Sequence, residues 1–182
     1  IPATTAHEVF PGHHLQFLAA HEQGRHVRRF IAAPMAFEGW ALYAEGLMLE
    51  TGFYRTPEER LLQLHALLWR ALRIPVDVGI HTGRMTFDEA ADYFAAHVDF
   101  FPDARAAQTK DPVAKAAFDA ANRAIYRYSK WPTQAITYNL GKHNIQALRA
   151  AAEQKLGKAF NLKAFHEKFM GMGTIPTGYF RE

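Results

Sequence analysis

Apolar residues recur every third or fourth position along most of the chain, the spacing of helix faces. No segment shows the two-residue alternation of a convincing β hairpin, and no internal repeat is evident. Leu61, Leu64, Leu68 and Leu72 form the plainest stripe. Start and stop signals divide the pattern into about seven helices. Thr5 followed by Glu8 reads as a capping box. It predicts a first helix from about residue 6 to His21 or Glu22, stopping near Gly24. A second spans about Met35 to Glu50 and ends at Gly52. Thr56, Pro57 and Glu59 start a third, which Pro75 should kink or reset before His81. Thr86 and Glu89 open a fourth, running to about Phe100. Asp111-Pro112 caps a fifth to about Ser129, and Pro132 starts a sixth that stops at Gly157. The last covers about Leu162 to Met170. The segments FPDARAAQTKDP and GMGTIPTGYF read as loops. The expected fold is all-α, helix packed on helix, with little or no β structure and residues 1–182 forming a single helical region.

Composition agrees with a packed interior. The 182 residues are 49% hydrophobic and 21% charged, with fourteen Phe, seven Tyr and three Trp. Only the stretch 102–112 has a composition compatible with disorder. The net charge of +3 is spread along the predicted helices without a dense basic run, so no nucleic-acid partner is expected. The chain contains no cysteine, so any metal must be held by His, Asp and Glu. That lack suits periplasm and cytosol equally. No apolar run reaches membrane-spanning length, and no signal peptide is visible. A candidate functional motif begins only six residues into the chain. Natural domains seldom start so abruptly, so the expectation is a C-terminal part of a longer protein.

That motif is HEVFPGHH, from His7 to His14. In a zinc-protease HExxH helix, residues i and i+4 share one face and two imidazoles reach one metal ion. The Glu after the first His takes the proton of the attacking water. Here His13 stands at i+6 and His14 at i+7 from His7. On a regular helix the first points roughly 120° away and the second lies about 10 Å along the axis. Pro11 lacks an N–H for the carbonyl of His7, and Gly12 permits unusual backbone angles. A bulge at this pair would absorb the two extra residues and bring His13 to the place of the second histidine. Chemistry alone does not choose between His13 and His14. The bland alternative is a helix start with surface histidines clustered by chance.

A hydrolytic site needs a third ligand and an open position. The segment FEGWALYAEGLMLE offers Glu38 among apolar neighbours, where a metal would offset the cost of burying a carboxylate. Glu45, two turns on along the same face, suits a residue that fixes a histidine tautomer. The competing reading makes Glu38 a helix N-terminal acid stabilised by the macrodipole. His81 and Tyr138 are candidate oxyanion donors, and Arg127 and Gln134 candidate binders of substrate carboxylate or backbone. Against these stand a Tyr138 that is simply core or rim and an Arg127 paired with Asp77 or another acid. His97, His143 and His166 read as ordinary structural or surface residues.

The segments HEVFPGHHLQ, EGWALYAE, RIPVDVGIHTGRMTFDEAADYF, RYSKWPTQAITYNLGKHNIQALR and LGKAFNLKAFHEKFMGMGTIP together resemble the bacterial family called domain of unknown function 885, over nearly the whole chain. That family resembles gluzincin metallopeptidases, helical proteins with two His and one Glu on zinc. The resemblance implies His7, His13 and Glu38 as ligands of one zinc ion and Glu8 as general base. It also implies a longer, often exported or lipid-anchored protein, which favours the periplasm or cell envelope. The function so implied is a zinc-dependent peptidase or amide hydrolase acting on a peptide or small amide. The alternatives are a metal-dependent hydrolase of a non-peptide substrate and a non-catalytic helical binding module. In the longer protein, the N-terminal region would be a further partner of this chain.

Overall fold

The computed structural model describes residues 2–22 and 26–181. The predicted stop at Gly24 lies outside them. Among the described residues there are nine α-helices and no strand, an all-α fold. The two helices beyond the seven expected have definite origins. The predicted first helix is two: α1 (Pro2–Glu8) and α2 (His13–Glu22). The predicted loop at 101–112 contains a one-turn helix, α6 (Ala104–Ala107). The others are α3 (Pro34–Glu50), α4 (Pro57–His81), α5 (Phe87–Val98), α7 (Pro112–Lys130), α8 (Thr137–Leu156) and α9 (Leu162–Gly171).

Capping explains several of these limits. Thr86 and Glu89 make a complete capping box, and Thr56 with Glu59 makes the same reciprocal pair. The Asp111 carboxylate accepts from the N–H groups of Val113 and Ala114. Thr5 does not cap. It sits inside α1, and its carbonyl accepts from the Val9 N–H as in a helix interior. Pro75 does not reset α4, which continues to His81. The sixth helix starts at Thr137 rather than Pro132. Thr133 adopts a left-handed φ of 69° and directs its N–H to the Asp77 carboxylate, so the chain turns there and passes through a 3-10 turn first. The 171–180 tail, expected as loop, ends in a 3-10 turn at Thr177–Arg181.

The chain packs as two compact units, residues 1–63 with 137–182 and residues 64–136. In the first, α3 packs most extensively on α8. Helix α3 is apolar nearly all round, the mark of a buried helix, and Gly39 through Glu45 are indeed buried. The two helices meet at glycines: a Cβ on Gly39 would lie 2.5 Å from the Gly141 backbone. Trp40, Tyr43, Ile145 and Phe169 form the core of this unit.

The second unit is built on Val76, Phe94, Val98, Ile125 and Tyr128, with alanines of α5 and α7 between them. Its 102–112 stretch is ordered by Arg105, whose guanidinium holds Asp92 at 2.8 Å and Asp88 at 3.2 Å. The leucine stripe of α4 is buried only in part. Leu68 and Leu72 are half-buried, whereas Leu61 and Leu64 are more than half exposed.

Candidate metal centre

Helix α1 ends at Glu8, and the next four residues, Val9 to Gly12, are not helical. The expected bulge is therefore a full interruption, which includes a cis Phe10–Pro11 peptide. Within it Gly12 lies against the end of α1: a Cβ there would overlap the carbonyl oxygen of His7. Helix α2 restarts at His13 and turns that residue back toward α1. The rings of His7 and His13 meet edge to face with centroids 4.9 Å apart.

Glu38, in the first turns of α3, completes the group. Its Oε2 lies 3.6 Å from His7 Nε2 and 3.3 Å from His13 Nε2. One ligand atom from each of the three residues falls within 4.8 Å of the others. Glu38 Oε2 and His13 Nδ1 are buried and make no hydrogen bond of regular geometry. Buried polar atoms are almost always satisfied, so three lone-pair donors converging with one of them unsatisfied fit a cation. Burial alone would raise the Glu38 pKa. The contacts with His13 and His7, the charge of His13 and the Tyr138 hydroxyl outweigh it and hold the carboxyl down at about 2. The carboxylate is thus ionised, as a ligand must be.

Glu45 stands behind His7. Its Oε1 accepts from His7 Nδ1 at 2.7 Å, which leaves the Nε2 lone pair turned toward Glu38. Glu45 is 1% exposed, and the hydroxyl of buried Tyr54 donates to its backbone carbonyl at 3.2 Å. Tyr138 on α8 is also buried and stacks on His7, 6.2 Å between centroids. It faces the carboxylate of Glu38 as well as the His7 ring. His13 is flanked by Phe17 and Phe37, each 5.9 Å away.

The remaining candidates are not part of this three-residue group. His14 is exposed and is no part of the three-residue group. Glu8, the last residue of α1, is exposed beside His7. His81, Arg127 and Gln134 belong to the second unit. There His81 Nε2 donates to the Tyr128 carbonyl at 3.1 Å, and Arg127 lies over the Trp131 ring. Arg127 does not pair with Asp77, whose carboxylate accepts from the Thr133 N–H instead. His166 is more embedded than its sequence context suggests. The Tyr43 hydroxyl donates to its Nε2 at 2.8 Å and accepts from Arg149, and burial followed by the Arg149 charge lowers its pKa. A groove of about 740 Å³ between α8 and α9, lined by Leu148, Phe160 and Phe165, contains none of the predicted site residues.

The sequence profile of the family described as "Bacterial protein of unknown function (DUF885)" matches residues 1–182. The chain belongs to this family. Two solved structures are similar to this DUF885 chain. One is a proposed lipoprotein from Colwellia psychrerythraea, 34% identical with a TM-score of 0.82, covering 97% of this chain and 28% of its own. The other is a proposed lipoprotein of unknown function from Shewanella oneidensis, 30% identical with a TM-score of 0.78, covering 98% of this chain and 30% of its own. This DUF885 chain therefore spans under a third of either relative. No curated protein matches it. Among its described residues, no helix is long and apolar enough to cross a membrane.

Proposed function

We propose that this chain carries the metal centre of a zinc-dependent hydrolase of the gluzincin type, acting on a peptide or small amide. The observation that carries the reading is the convergence of His7, His13 and Glu38 within 4.8 Å, with Glu45 fixing the first imidazole. A neutral-nitrogen and carboxylate set without thiolate suits zinc, and three ligands leave a position open. Zinc bound there would polarise a carbonyl and lower the pKa of water. Glu8, exposed next to His7, is the proton acceptor in this scheme. Tyr138 has its hydroxyl beside the ligands, where it steadies Glu38 and can donate to substrate oxygen. By residue type, His81 is proposed as a second oxyanion donor, and Arg127 and Gln134 as binders of substrate carboxylate or backbone.

The chain spans under a third of its solved relatives, and the activity is proposed for a longer protein whose other regions complete the cleft. The description of both relatives as proposed lipoproteins supports a place in the cell envelope. The test is elemental analysis of full-length protein prepared without chelator. Close to one zinc per chain is expected, lost in His7→Ala and in Glu38→Ala. A metal-free wild type that also fails to take up added zinc would end this reading.

A further inference from the structure

We infer that Trp40 is a positioning residue that sets the spacing of the two histidine ligands by holding the carbonyl of Pro11. The inference rests on the zinc reading above and adds a residue to it. The interruption between α1 and α2 takes four residues, Val9 to Gly12, out of the helix. Its two ends are tied by ordinary backbone bonds, Val9 N–H to the Thr5 carbonyl at 2.9 Å and Gln16 N–H to the Gly12 carbonyl at 3.1 Å. Between them, buried Pro11 exposes a carbonyl to the interior. The indole Nε1–H of Trp40 donates to it at 2.8 Å.

The indole itself cannot move freely. It is 1% exposed and packed against three rings: Tyr43 at 5.6 Å, His166 edge-on at 5.5 Å and Phe169 stacked at 5.4 Å. Gly12, one residue past the held carbonyl, has no room to shift toward the His7 carbonyl. The backbone joining the two ligands is therefore fixed between the end of α1 and the indole. Trp40 also lies two residues after Glu38 and five before Glu45 on α3. One buried helix thus supplies the carboxylate ligand, the residue that orients His7 and the bond that places His13.

Replacing Trp40 by Phe keeps an aromatic ring but removes the donor together with part of the indole's volume, so a packing control is needed beside it. In full-length protein loaded with Co²⁺, Trp40→Phe is expected to weaken metal binding by about 10–100-fold, as loss of an outer partner does, and to shift the visible ligand-field spectrum. Phe169→Leu disturbs the packing on the same indole without touching the bond. It is expected to lower Tm while leaving the cobalt spectrum unchanged. Wild-type affinity and spectrum in Trp40→Phe would overturn the role, as would equal spectral changes in both variants. If Trp40→Phe does not fold, hydrogen exchange of the wild-type indole N–H decides: strong protection is expected, and exchange as fast as that of exposed Trp131 overturns it. A wild type that binds no Co²⁺ would instead remove the zinc reading and this role with it.

Discussion

Glu45 accepts from His7 Nδ1 at 2.7 Å, and the two residues are 38 positions apart in the chain. Both side chains are at least 95% buried, so the bond is strong and its loss costly. It fixes which nitrogen of His7 faces Glu38. Replacing Glu45 by Ala frees the tautomer and leaves the Nδ1–H without that acceptor. Zinc affinity is expected to fall about 10–100-fold, read by competition with a chromophoric chelator. An unchanged affinity would show that Glu45 has only a packing role.

Glu8 separates binding from chemistry. It is exposed at the end of α1, so Glu8→Gln should leave stability and zinc content unchanged. As the proton acceptor it is expected to carry about 10²–10⁴-fold of the rate. The comparison is hydrolysis of a peptide mixture by zinc-loaded full-length protein and by the variant. Equal rates at equal zinc content would remove Glu8 from the chemistry.

Gly12 is required by shape. Any Cβ there meets the backbone oxygen of His7, which no side-chain rotation can clear. Gly12→Ala should cost about 1–3 kcal/mol and force His13 away from His7. Chemical denaturation gives the first quantity and zinc titration the second. A variant with wild-type stability and wild-type zinc affinity would mean that the interruption is more pliable than its packing indicates.

Much of this site is legible in the sequence because its chemistry is local. Pro11 and Gly12 forbid a regular helix, and the spacing of His7 and His13 then makes sense only if the chain folds back. Glu38 among aromatic neighbours, and Glu45 seven residues later, follow from helix periodicity. What the sequence hides is tertiary. Nothing local says that the break is four residues long, or that Trp40 reaches back 29 positions to Pro11. The embedding of His166 against Tyr43 is a contact between α3 and α9 and leaves no periodic trace. The division into two units is equally invisible, since its boundaries fall inside the α4 sequence and immediately before α8. Start signals mislead where a later bond wins. Pro132 is a good helix opener, yet the Thr133 N–H goes to Asp77 and delays the helix to Thr137.

The α3–α8 contact ties site geometry to fold stability through two glycines. A Cβ on Gly39 would lie 2.5 Å from Gly141 backbone atoms, and a Cβ on Gly141 would meet the Met35 carbonyl oxygen. In both cases the obstacle is backbone, so the helices must move apart. Glu38 directly precedes Gly39, and Tyr138 lies three residues before Gly141, so separation moves a proposed ligand and the ring stacked on His7 together. Gly39→Ala and Gly141→Ala are each expected to cost about 1–3 kcal/mol in denaturant unfolding and to weaken zinc binding. The double variant should lose less than the sum, because a gap opened by one methyl accommodates the other. Additive losses would place the strain at two independent points. Retained zinc affinity in both single variants would show that α1, α2 and α3 hold the three donors without help from α8.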